Sequence, residues 1–90
     1  MNRPPEQFKR IPLAQLRRFA RACLEAAGML SDHAEQLAEL LSNGDLRGVR
    51  SHGTRALPKY CESLRNGRIN PHPDLKVLRE TDTAVLIDGD

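Results

Sequence analysis

Residues 12 to 44 read PLAQLRRFARACLEAAGMLSDHAEQLAELLSNG, and the spacing of their apolar residues decides the fold. Leu13, Leu16, Ala20, Cys23, Leu24 and Ala27 recur at helical intervals, with Arg17, Arg18 and Arg21 off that stripe. Pro12 suits a first helical position because its missing N–H costs nothing there. Gly28 supplies the usual C-terminal stop. Ser31 and Asp32 open a second helix, whose apolar face is Ala34, Leu37, Ala38 and Leu41. Asn43-Gly44 ends that helix or bends it. His33, in its first turn, is expected to be solvated.

A third helical pattern follows, with Leu57, Tyr60, Cys61 and Leu64 on one face and Asn66-Gly67 as its stop. Tyr60 is expected to pack in the core with its hydroxyl at the edge. Pro58 would break a bond inside a helix that began at His52. Either the turn over residues 51–57 is separate, or the helix kinks at Pro58. Asn70-Pro71-His72-Pro73 is a rigid extended loop. Leu75, Val77 and the run Ala84-Val85-Leu86-Ile87 read as two short strands around a turn at Glu80-Thr81-Asp82. The expected fold class is therefore α+β and mostly helical, three helices followed by two short β-strands.

Composition limits what such a chain does alone. Ninety residues form one small domain at most, burying about 60–65% of the unfolded surface. With no Trp, one Tyr and two Phe, the core must be built of Leu, Ala, Val and Ile. Val85-Leu86-Ile87 has the continuous apolar character of a strand buried on both faces, and one short partner near residue 77 does not cover it. The expectation is a piece of a larger α/β protein. Residues 1–10 would be a polar lead-in, and residues 11–90 a helical module with the start of a sheet. Met1–Gln7 has no hydrophobic signal region and no apolar run reaches membrane-spanning length, so a soluble, cytoplasmic chain is expected. Cys23 and Cys61 are far apart, without ligand spacing. They read as free thiols at apolar helical positions, a disulfide between them being the lesser reading. The three histidines lack the spacing and supporting ligands of a metal site.

Chemistry concentrates in Arg47-Gly48-Val49-Arg50-Ser51-His52-Gly53. A histidine trades protons near neutral pH, the flanking glycines free the backbone from helical geometry, and Ser51 is placed to cap a following helix. Gly48 and Gly53 have the wrong spacing for a phosphate-binding fingerprint, and no strand precedes them. Ser51 lacks the activating partners of a nucleophile.

With Asp45-Leu46 before it, Leu57-Pro58-Lys59-Tyr60 after it and Leu64 to Pro71 beyond, this stretch resembles the N-terminal portion of the malate/L-lactate dehydrogenase family of the second type. The final Val85-Leu86-Ile87-Asp88-Gly89-Asp90 agrees. The resemblance covers residues 11 onward, about the first quarter of a family member. It implies an NAD- or NADP-dependent oxidoreductase interconverting a 2-hydroxy acid and a 2-oxo acid, with His52 as acid/base. It also implies a nicotinamide-binding domain outside this chain and a homodimer whose subunits share sites. A chain holding only this portion would be inactive alone. The substrate carboxylate calls for a guanidinium. The family pattern carries an arginine four residues after the histidine, where this chain has Ala56. Arg55 stands one residue earlier, about 100° around a helix, and becomes the candidate carboxylate ligand, with Ser51 as a second substrate contact.

A different class of function is a small basic helical binding module for nucleic acid or a protein partner. Six basic residues between Arg47 and Arg68 face one acid, Glu62. The scarcity of aromatic residues for stacking argues against nucleic acid.

Overall fold

A computed structural model describes residues 6–90, so the first five residues of the expected lead-in lie outside the described residues. Helix α1 (Leu13–Ala26) and helix α2 (Ser31–Leu46) pack against each other. Two 3₁₀ turns (Arg50–His52 and Thr54–Ala56) lead into helix α3 (Leu57–Arg65). A hairpin of β1 (Lys76–Glu80) and β2 (Val85–Asp88) completes the order. This is the expected α+β, mostly helical arrangement.

The core lies where the three apolar stripes meet. Ala20, Leu24 and Ala27 of the first segment pack with Ala34, Ala38 and Leu41 of α2 and with Leu57, Cys61 and Leu64 of α3. Small alanines let α1 and α2 approach closely, so the core is thin. Tyr60 packs against it half-buried, as its position on the α3 stripe predicts. Both cysteines are free, and the Cys61 thiol points at the Cys23 carbonyl at 3.7 Å.

Helix ends differ from expectation in instructive ways. Pro12 sits just outside α1, where its carbonyl accepts the Leu16 N–H at 3.1 Å. At the other end, Gly28 (φ +110°) closes α1 with paired bonds, Gly28 N–H to Glu25 O and Met29 N–H to Leu24 O. Ser31 does not cap α2. Leu30 holds that position, and the Ser31 hydroxyl turns back to donate to Glu25 while accepting from Arg21. His33 is half-buried where solvent exposure was expected. Of the two alternatives at Asn43-Gly44 the end is not met, since α2 runs on to Leu46. The helix closes at Gly48 (φ +77°), with Gly48 N–H to Asp45 O and Val49 N–H to Gly44 O.

Pro58 falls in the first turn of α3, where no intrahelical N–H is needed. Of the two sequence-based alternatives the separate turn is the one adopted. Arg17, off the apolar stripe, crosses to α2. Its Nε donates to the buried Ser42 Oγ at 2.8 Å and its Nη2 to Asn43 Oδ1 at 2.7 Å.

The strands pair antiparallel, Lys76 with Asp88, Val77 with Ile87, Arg79 with Leu86 and Glu80 with Val85. Leu78 is the extra residue of a bulge. Opposed residues share a face, so Val77, Val85 and Ile87 lie on one face with Glu80 at its end. Lys76, Arg79 and Asp88 share the other with Leu86. Val85, Leu86 and Ile87 are 51%, 58% and 53% exposed. The two-sided burial expected of this run is not met within these residues, because the hairpin has no further strand beside it.

Candidate active site

The His52 turn is built by a close crossing of backbone over α2. Gly44, inside the helix, is where the His52 carbonyl lies. A Cβ there would stand 2.6 Å from that oxygen. Gly53 is buried and extended (φ −111°, ψ −154°), and a Cβ on it would overlap the Asp45 carboxylate. The Asp45 carboxylate in turn accepts the Thr54 N–H at 3.2 Å and the Thr54 hydroxyl. So residues 52–54 are pinned to the last turn of α2.

On that turn the His52 ring is exposed, and its Nδ1 shares a hydrogen bond with Ser51 Oγ at 3.0 Å. Ser51 therefore does not act as the helix cap expected of it; it lies within the first 3₁₀ turn and serves the imidazole. Beside it opens a cleft of about 940 Å³, lined by Phe8–Ile11, by α1 and α2, and by Arg50, Ser51, Thr54 and Arg55. Lys9, Arg10, Arg50 and Arg55 outnumber the single carboxylate on its wall, Asp45, an arrangement that favours anions. Ser51 and Arg55 are thus brought to one wall, while His52 stands next to the cleft and not among its lining residues. Ala56 is half-buried; Arg55, exposed on the second 3₁₀ turn, lines the cleft together with Arg10 and Arg50.

Sequence reasoning missed Asp45 and the close approach at Gly44. The signal available was the pair Asp45 and Thr54, nine residues apart, but its meaning depends on α2 continuing past Gly44. Among the described residues no group of three or more His, Cys, Asp and Glu side chains is placed to hold a metal ion. None of their helices is long and apolar enough to cross a membrane.

The sequence profile of malate/L-lactate dehydrogenases matches residues 11–90, which include every element described above. The chain belongs to the malate/L-lactate dehydrogenase family. It is 38% identical over 85 residues to a malate dehydrogenase of Pyrococcus abyssi, covering 94% of this chain and 24% of that protein. An L-sulfolactate dehydrogenase of Methanocaldococcus jannaschii is 34% identical over 86 residues, or 96% of this chain and 23% of the relative. The solved malate dehydrogenase of Pyrococcus horikoshii superposes with a TM-score of 0.89 at 37% identity, covering 96% of this chain and 25% of that one. This malate/L-lactate dehydrogenase family chain therefore spans about a quarter of the length of the relatives it matches.

Proposed function

We propose that this chain supplies the proton-transfer group of a dehydrogenase that interconverts a 2-hydroxy acid and a 2-oxo acid. The observation supporting the reading is the exposed His52 imidazole, held at Nδ1 by Ser51 beside a cationic cleft. With Nδ1–H donating to Ser51 Oγ, Nε2 is the nitrogen that meets substrate. An Nε2–H proton is delivered to the developing alkoxide during reduction, and neutral Nε2 accepts the hydroxyl proton during oxidation. Arg55 on the cleft wall pairs with the substrate carboxylate, and Ser51 orients the imidazole in addition to lining the cleft.

The described residues carry no dinucleotide-binding fingerprint of the strand–turn–helix kind. No glycine-rich turn joins a strand to a helix among them, since the hairpin follows all three helices. NAD or NADP, assigned from the family, would be held by residues matching the remainder of the relatives' length. The derived chemistry of this chain is accordingly confined to the proton and the carboxylate. A homodimer, a small acid substrate and a cytoplasmic location complete the proposal.

The test replaces the matching quarter of the Pyrococcus horikoshii enzyme with this chain and follows 2-oxo acid-dependent oxidation of NADH and NADPH. The chimera is expected to turn over, and His52→Gln to lower kcat on the order of 10²–10⁴-fold. Full turnover by the His52→Gln chimera would remove His52 from the acid/base role.

A further inference from the structure

The grip of α2 on the His52 turn is tighter than a loop connection requires. Asp45 stands in the last turn of α2, and its carboxylate meets three groups of the turn at once. It accepts the Thr54 N–H and the Thr54 hydroxyl, and it lies against the bare α-carbon of Gly53. One residue earlier, Gly44 receives the His52 carbonyl. The His52 carbonyl and the two residues that follow it are thus held by consecutive residues of one helix, and Ser51 hydrogen-bonds the ring that this backbone carries.

We propose that Asp45 is the positioning residue for His52. This rests on the acid/base reading of His52 given above. Asp45 touches no reacting atom. Through Thr54 and Gly53 it sets the height of the His52 backbone over α2, and so where Nε2 stands relative to a substrate in the neighbouring cleft. The sequence pairing needed is a carboxylate nine residues before a hydroxyl residue, with a glycine between them directly ahead of the hydroxyl. Displacing a catalytic group by about 1 Å costs on the order of 10²-fold in rate, so a lost clamp should appear in kcat and leave KM little changed.

The decisive measurement is the imidazole ¹H–¹⁵N correlation spectrum of the 90-residue chain. His33 and His72, away from the clamp, serve as internal references. Asp45→Asn and Thr54→Val should shift the His52 ring signals and leave those of His33 and His72 in place. Thr54→Ser, which keeps the hydroxyl, should restore the wild-type His52 signals. Thr54→Val removes one polar group at nearly constant volume, so it reads the clamp even if Asp45→Asn fails to fold. In the chimera, Thr54→Val should lower kcat at least tenfold with KM within about twofold. His52 signals unmoved by Thr54→Val, or a loss confined to KM, would overturn the proposal. Turnover that survives His52→Gln would instead overturn the acid/base reading, with the spectra still deciding whether the clamp exists.

Discussion

Arg21 joins the end of α1 to the start of α2 through short polar contacts. Its Nε donates to Glu25 Oε1 at 2.7 Å and its Nη2 to Ser31 Oγ at 2.9 Å, and Nη1 lies 3.8 Å from Glu35. The Arg21 hydrogen bond, followed by that from Ser31, holds the Glu25 carboxyl below its ordinary value of 4.5. The Glu25 bond likewise raises Arg21 further above its ordinary range. A carboxyl depressed on folding stabilises the native state above the ordinary carboxylate value, and the contribution disappears as pH falls through the lowered one. Urea midpoints of the wild type and of Glu25→Gln should therefore differ at neutral pH and converge in strong acid. A constant gap across the titration would show that the Arg21 bond contributes nothing. Both groups are exposed, which keeps the effect small. Among single residues, His52, Ser51 and Arg55 stand out in the sequence as candidates through the family resemblance, and the fold puts Ser51 and Arg55 on one cleft wall. Asp45 was not legible, since a carboxylate becomes a clamp only when a distant turn is folded onto it.

At the level of elements, two glycines four residues apart do different work. Gly48 adopts φ +77° and has open space around it. Gly48→Ala should cost roughly 1–2 kcal/mol of left-handed strain and leave the His52 ring signals unchanged. Gly44 is helical and crowded by the His52 carbonyl. Gly44→Ala should therefore move the His52 signals, even though alanine is the better helix former by about 1 kcal/mol. Thermal unfolding followed by circular dichroism, read beside the imidazole spectra, separates the two. If both variants leave His52 in place, the crossing is looser than its geometry implies. Local propensity offers an end or a bend at Asn43-Gly44, and the end is overruled as α2 runs on to Leu46. The glycine marks an approaching backbone, and α2 ends one turn later. Pro58 shows the converse, since its restriction left only two arrangements and the turn geometry of residues 50–56 selected one.

Across the whole molecule, order is concentrated in the helices. The α1–α2–α3 core carries the buried side chains, whereas the hairpin is exposed along its full length. Amides of residues 85–88 should exchange with solvent orders of magnitude faster than those in the middle of α2, because local opening costs least where little apolar surface is buried. Equal protection of hairpin and helix would mean that the hairpin is covered in solution. The five principal elements were legible because their periodicities are plain. The exposure of the hairpin was not, because an apolar run records a tendency to be covered and not the presence of a cover. Leu78, the extra residue in β1, breaks the row of backbone donors and acceptors along that strand's outer edge. A broken and more strongly twisted edge is a poor template for another chain's strand. The β1 edge of the exposed hairpin thus carries its own protection against stacking into ordered fibres.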